Sequence, residues 1–558
     1  MNVHAPQVEG EPTIDRTDAD WWRGAVIYQI YPRSFQDTSG DGIGDLAGIA
    51  DRLDHVASLG VDAIWISPFF TSPMKDFGYD VSDYRNVDPM FGTLHDFDRL
   101  VSEAHARGLR VMIDLVLSHT SDQHPWFVDA RTSREAEHSD WYVWADPEPD
   151  GTPPNNWLSI FGGPAWAWNA KRRQYYLHNF LESQPDLNFH NPAVQDALLD
   201  VVRFWLDRGV DGFRLDTVNF YFCDAELRSN PPLDPERINS FGAGTLNPYN
   251  FQDHVRDKNQ PENLAFMERL RAVMDEYEAR TIVGEVGDAQ YQVEIIADYT
   301  APGRIHMCYS FDMLGDEPLD AARARALVET YEERITQGWV CWAYSNHDVT
   351  RHATRWADVL TDDPSDRDGY LRLVTGVLLS LRGTVCLYQG EELGLPEADV
   401  PFEQLQDPYG IRFWPEFKGR DGCRTPMPWE ADALNAGFSD GDPWLPVSPE
   451  HRALAASAQA VQHGSMLNHY RAMLTFRAAH PALAKGSIRF LDWGEDVLAF
   501  ERDHGNETLV CAFNMSAKAK ALDLSGLRPF EDAPFAGPYK MQDGDMLPPW
   551  GAAFAYRD

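Results

Sequence analysis

Basic residues are scarce in this chain. Its 558 residues hold 48 lysines and arginines against 87 aspartates and glutamates, a formal net charge of −39. Such an excess repels nucleic acid and anionic membrane surfaces and suits a neutral or cationic ligand. Cysteine is scarce as well: Cys223, Cys308, Cys341, Cys386, Cys423 and Cys511, with no Cys-x-x-Cys spacing. That spacing argues against a zinc site. Cys341 and Cys386 lie in apolar, strand-like runs, where a free thiol behaves as a small hydrophobe. Thiols that stay reduced point to the cytoplasm. No run of about 20 apolar residues is present to span a membrane. Met1 to Asp20 is acidic and lacks an apolar core of signal-peptide length.

Apolar and aromatic residues are plentiful, at 43% and 12%, enough for a large core. After a loose tail over 1–20, strand-length apolar runs alternate with helical periodicity. The expected strands are Val26–Ile30, Ala63–Ser67, Val111–Leu117, Gly212–Asp216, Thr281–Val286, Met307–Phe311, Val340–Ser345 and Thr384–Tyr388. Expected helices include Leu46–Leu59, Leu94–Arg107, Asn191–Arg208, Pro261–Tyr277, Tyr370–Leu381 and Leu467–Ala479. Eight strand–helix units argue a closed parallel barrel of α/β class, a (β/α)8 TIM barrel. The interval 120–188 follows the third strand, is rich in Trp, Pro, Gly and Asp, and reads as an ordered subdomain over the barrel mouth. A second excursion, Gly394 to Pro446, follows the eighth strand. From 486 to 558 short alternating strands predict a small antiparallel β domain. The barrel then occupies 21–119 and 189–485.

Four strings place charge at strand ends: Asp114-Leu-Val-Leu-Ser-His119, Gly212-Phe-Arg-Leu-Asp-Thr217, Gly284-Glu-Val286 and Ser345-Asn-His-Asp348. In a parallel barrel these ends meet on one face. Burying charge there unpaired is costly, so packing does not explain it. Arg214 and Asp216 are two apart on a strand and point the same way. An adjacent guanidinium keeps a carboxylate ionised, as a nucleophile requires. A desolvated Glu285 has its pKa raised to roughly 6–7 and can serve as a general acid. Asp348 supplies a third carboxylate, and such a set suits cleavage of a glycosidic bond.

The ordered set resembles the α-amylase superfamily, glycoside hydrolase family 13, in its α-glucosidase and oligo-1,6-glucosidase branch. Further supporting strings are Trp22-Arg-Gly-Ala-Val-Ile-Tyr-Gln-Ile-Tyr-Pro-Arg33, Gly78-Tyr-Asp-Val81, Gln184-Pro-Asp-Leu-Asn188, Tyr388-Gln-Gly-Glu-Glu-Leu-Gly394 and Arg424-Thr-Pro-Met-Pro-Trp429. The resemblance runs from about Trp21 to the C-terminus. It implies a TIM barrel with a subdomain in the third βα loop and a C-terminal β-sandwich. It implies Asp216 as nucleophile, Glu285 as acid and then base, and Asp348 as transition-state stabiliser. Tyr79, Asp80, His119, Arg214, His347 and Arg424 would hold the non-reducing glucose, and Phe161 and Phe180 would line the entrance for the second ring. Thr217, next to the nucleophile, resembles members that prefer α-1,4 bonds. Ser118 is a departure, since the family often has Asn before the histidine. Retention would require the two key carboxyls to stand about 5–5.5 Å apart.

Asp37-Thr-Ser-Gly-Asp-Gly-Ile-Gly-Asp45 has acids spaced like a calcium loop, with Gly42 at the sixth position. Asp37, Ser39, Asp41, Ile43 (through its carbonyl) and Asp45 would suit one structural Ca2+ or Mg2+. Gly48 stands where an EF-hand needs a bidentate Glu, so the loop is no complete EF-hand. No organic cofactor is expected. The expected function is an exo-acting, retaining α-glucosidase of the cytoplasm. It would act on small neutral α-glucosides such as maltose, with transglucosylation, as a monomer or small homo-oligomer that binds neither nucleic acid nor membrane. One rival is a glucosyl mutase forming trehalose or isomaltulose. The other is a non-catalytic binding subunit, which predicts lost carboxylates and a membrane anchor, neither of them seen.

Overall fold

The computed structural model describes residues 14–238, 242–358, 360, 363–530, 534–535 and 546–557. Residues 1–13 of the expected tail and parts of the expected C-terminal domain lie outside the described residues. Eight strands form one parallel sheet: β1 (Val26–Ile30), β2 (Ala63–Ile66), β3 (Arg110–Leu115), β4 (Gly212–Leu215), β5 (Thr281–Val286), β6 (Met307–Ser310), β7 (Cys341–Ala343) and β8 (Thr384–Tyr388). Each pairs with its neighbour in chain order, and β8 pairs with β1. A parallel bridge from Cys308 to Val340 joins β6 to β7 and closes the barrel.

Side chains alternate inward and outward along each strand. The inward set includes Ile27, Ala63, Trp65, Met112, Val283, Met307, Tyr309, Cys341 and Cys386, which form the barrel interior. The outward set meets the surrounding helices, where Leu53, Val56, Leu100, Leu198, Trp205, Leu270 and Val374 build the larger core. Register then fixes what lies at the mouth. Asp114 pairs with Arg214, Val283 with Arg214, and Glu285 with Tyr309. The inward alternation of Met112–Asp114, Arg214–Asp216, Val283–Glu285 and Met307–Tyr309 therefore ends in a polar layer.

Local signals account for most helix ends. Leu94–Ala106 begins at a capping box between Thr93 and Asp96. Pro192–Asp207 has Asn191 as its side-chain cap and proline in its first turn. Two expected helices differ. Leu46–Leu59 is two helices, Leu46–Asp51 and Leu53–Leu59. At the break, Arg52 bonds Gln36 Oε1 at 2.7 Å and lies over the Trp429 ring. The helix expected from Tyr370 begins at Pro364, capped by Asp363. Its polar first turns carry no apolar stripe.

The loop after β3 carries the helix Pro125–Ala130 and an antiparallel sheet of Trp144–Ala145, Gln174–Leu177 and Trp166–Asn169. It returns to the barrel beside its point of departure, where His119 bridges Asp186. At the C-terminus a five-stranded antiparallel sheet, led by Ser487–Asp492, Val497–His504 and Glu507–Asn514, covers a small core with Leu522, Leu524 and Leu547. Among the described residues, no helix is long and apolar enough to cross a membrane.

Candidate active site

Arg214 lies at the centre of the barrel mouth with its side chain fully buried. Its Nη1 donates to Asp216 Oδ1 at 2.6 Å and to Asp114 Oδ1 at 2.9 Å. Its Nη2 is 2.6 Å from Glu285 Oε1. Tyr309 accepts from Arg214 Nε and Nη2 and donates to Glu285 Oε1 at 2.9 Å. One guanidinium thus faces three carboxylates. Burial pushes Glu285 up to about 7; Arg214 opposes this, and the nearby charges of Asp216 and Asp348 add to it. Burial likewise pushes Asp216 up to about 7 against Arg214, with Asp114 adding to the rise. Losing water disfavours the charged form, and a like charge close by disfavours it further.

Asp348 is set differently. Its side chain is 23% exposed, against 3% for Glu285 and 8% for Asp216. Arg424 Nη2 and Arg420 Nη1 reach its Oδ1 at 2.9 and 3.1 Å, and His347 Nε2 lies 3.2 Å from its Oδ2. Burial would raise this carboxyl, but His347, Arg420 and Arg424 together hold it well below the usual carboxylate range. Gln29 donates to His347 Nδ1 at 2.8 Å, so His347 carries its proton on Nε2, toward Tyr79 and Asp348. Tyr79 stacks on the His347 ring at 5.2 Å and donates to Asp114. Arg424 also donates to the His347 carbonyl.

Asp80 does not reach the pocket. Its carboxylate accepts from Ser72 Oγ and from the backbone N–H groups of Lys75 and Asp76, fully buried within its own loop. Asp76 faces the site instead: its Oδ1 meets Arg420 Nη2 at 2.9 Å, and its Oδ2 accepts from Gln184. Arg420, which also pairs with Asp407, ties Asp76 to Asp348. Sequence reasoning gave no role to Asp76, Arg420 or Tyr309, nor to Asp114, although Asp114 heads one of the four strings. The first two flank strings already singled out, Gly78–Val81 and Arg424–Trp429. The other two follow from extending the inward alternation of β3 and β6.

His119 is buried, which pushes its pKa down to about 4 and keeps it neutral. Its Nε2 donates to the Tyr79 carbonyl at 3.0 Å. Phe180 lies against His119 and Phe161, with ring centroids 5.0 and 5.9 Å apart. Both phenylalanines line a cavity of about 310 Å3 with Trp166, Trp168 and Arg412, on the side of the inserted subdomain. Thr217 has φ 38 and ψ 51, a left-handed conformation costly for a β-branched residue. Its N–H meets Glu285 Oε2 at 3.1 Å and its hydroxyl donates to Asp216 Oδ2 at 3.2 Å.

The acidic loop lies apart from this cluster. Asp37 accepts from the N–H groups of Ser39, Gly40 and Gly42 and from Ser439 Oγ. Asp45 caps Leu46–Asp51 through Gly48 N and bonds Thr38, while Asp41 bonds Ile43 N. Among the described residues, no three His, Cys, Asp or Glu side chains are grouped to hold a metal ion. Within the expected ligand set of Asp37, Ser39, Asp41, Ile43 and Asp45, the carboxylates of Asp37, Asp41 and Asp45 face amide and hydroxyl donors.

The polar layer around Arg214 is matched by sequence. The alpha amylase catalytic domain family model covers residues 29–486, and the maltogenic amylase C-terminal domain model covers 488–552. The chain belongs to the α-amylase family of glycoside hydrolases. A probable alpha-glucosidase of Rhizobium meliloti (strain 1021) is 61% identical over 542 residues, spanning 96% of this chain and 97% of that one. Among solved structures, the alpha-glucosyl transfer enzyme XgtA superposes with a TM-score of 0.92 at 54% identity, covering 96% of this chain and 99% of that one. The trehalulose synthase MutB from Pseudomonas mesoacidophila MX-45 superposes with a TM-score of 0.84 at 33% identity, over 96% and 99% of the two chains. The family's fold and the α-glucosidase branch expected from the strand-end strings are thus borne out.

Proposed function

We propose that the protein is an exo-acting, retaining α-glucosidase that releases α-glucose from the non-reducing end of short α-glucosides and transfers glucose to acceptors. The observation that carries this is Asp216 and Glu285 on either side of one buried guanidinium. Asp216 would attack the anomeric carbon while Glu285 protonates the leaving oxygen; Glu285 would then activate water or an acceptor hydroxyl. Asp348, held ionised beside two arginines, would stabilise positive charge developing on the sugar ring. Asp76, His119, Arg420 and Arg424 offer charged and neutral partners for the hydroxyls of one glucose. Thr217 supports a preference for α-1,4 bonds, since its hydroxyl makes the wall beside the nucleophile polar.

The similarity to a trehalulose synthase favours one second reading, a glucosyl mutase with the same catalytic set. Proton NMR of the purified protein with maltose separates the two. Early α-glucose supports the hydrolase, and a growing disaccharide isomer with little glucose supports the mutase. We also propose one structural Ca2+ or Mg2+ at Asp37–Asp45, tested separately by melting in EDTA against either ion. A rise of several degrees with either ion supports a cation at Asp37–Asp45, and no change removes it. Six free, buried cysteines support a reducing, cytoplasmic setting.

A further inference from the structure

Ser118 is the one position in the Asp114–His119 string that departs from the family resemblance, and it is buried behind the nucleophile. Its Oγ lies 2.8 Å from His119 Nδ1 and 3.3 Å from Thr217 Oγ1. The protons at this junction can be counted. The Tyr79 carbonyl can only accept, so His119 carries its proton on Nε2 and presents a lone pair at Nδ1. The Gln184 amide nitrogen, 3.2 Å from that Nε2, is itself only a donor and makes no hydrogen bond to the protonated ring nitrogen; it donates to Asp76 Oδ2 instead. Ser118 therefore donates to His119 Nδ1, and its own lone pairs remain open to a donor. Thr217 has one hydroxyl proton and two acceptors within reach, Asp216 Oδ2 at 3.2 Å and Ser118 Oγ at 3.3 Å. Arg214 holds the other carboxylate oxygen, Oδ1, at 2.6 Å. Oδ2 is then the oxygen left to attack, and a hydroxyl donating to it occupies a lone pair the attack needs.

We propose that Ser118 is a positioning residue for the nucleophile, accepting the Thr217 hydroxyl as Asp216 Oδ2 bonds to the anomeric carbon. This rests on the reading of Asp216 as the nucleophile of a retaining glucosidase. In the step, the Oδ2–carbon bond forms and the bond from the anomeric carbon to the leaving oxygen breaks. Glu285 gives its proton to that oxygen. Thr217 keeps its proton and only turns its hydrogen bond from Asp216 to Ser118.

The test is a double-mutant cycle of wild type, Ser118→Ala, Thr217→Val and the double variant, with folding checked by circular dichroism. Ser118→Cys, with a weak acceptor of similar shape, stands in should the alanine variant not fold. With 4-nitrophenyl α-glucoside, Ser118→Ala is expected to lower kcat/KM about tenfold when Thr217 is present. The loss shrinks to less than about twofold in the Thr217→Val background. Ser118→Thr, which restores a hydroxyl, recovers most of the rate. An equal loss in both backgrounds would mean that Ser118 acts through His119 alone, and overturns the proposal, as does no loss in either. Failure of the retaining reading shows elsewhere, as β-glucose in the first product released by the wild type.

Discussion

Glu285 and Asp216 share one guanidinium, and that sharing sets the pH dependence. With both carboxyls pushed up to about 7 by burial, they titrate as a pair, and the active form holds one proton between them. The rate is expected to fall on both sides of neutrality. Tyr309 donates to Glu285 Oε1, which favours the ionised carboxylate. Tyr309→Phe removes that donor, raises the Glu285 pKa and moves the alkaline limb of kcat/KM to higher pH; a limb that stays put or moves down would count against Glu285 as the acid. Asp216→Asn and Glu285→Gln are each expected to lower maltose turnover at least about a thousandfold. Near-normal activity in a clean preparation of either would overturn the assignment. Thr217→Val is expected to raise isomaltose relative to maltose turnover several-fold, and an unchanged ratio would remove the residue from the specificity argument. Asp76 and Asp80 separate cleanly. Asp76→Asn should raise KM for maltose about tenfold or more through lost charge-assisted hydrogen bonds, whereas Asp80→Asn should lower the melting temperature with little change in KM. The sequence showed the carboxylates of the site because they end apolar runs. It did not show which of two aspartates three residues from Tyr79 or beside it would turn inward, since that depends on how one loop folds around Ser72 and Lys75.

At the scale of elements, legibility followed from burial on both faces. Strands such as Val26–Ile30, Thr281–Val286 and Thr384–Tyr388 read as uninterrupted apolar runs because helices cover a parallel barrel outside and side chains fill it inside. The start of Pro364–Ser380 was hidden because its first turns face water. The break at Arg52 was hidden because its cause, Gln36 and Trp429, lies in other parts of the chain. Arg420 shows the same limit in the site. It comes from the long excursion after β8, where it pairs with Asp407 of the same excursion, and it clamps Asp76 and Asp348, which belong to two other segments. Arg420→Met leaves buried carboxylates without their cation, and is expected to cost about 3–5 kcal/mol of stability, seen as an earlier urea midpoint. A midpoint unchanged from wild type would show that the clamp does not hold these segments together.

Over the whole molecule, the charge of −39 repels itself, and salt screens that repulsion. Melting temperature should therefore rise between low salt and about 0.5 M NaCl, a concentration at which the screening length falls below about 8 Å. A fall would mean that the surface ion pairs matter more than the net charge. The clamp around Asp348 has a consequence for how the molecule is made. Asp216, Glu285 and Asp348 all leave the ribosome before Arg420 and Arg424, the two cations that embrace Asp348. A nascent chain can complete all eight barrel strands and still carry, at the barrel mouth, an Asp348 without its two arginines. The polar layer is finished only when the excursion after β8 folds back across the mouth, so in the order of synthesis the mouth gains these two cations after its carboxylates.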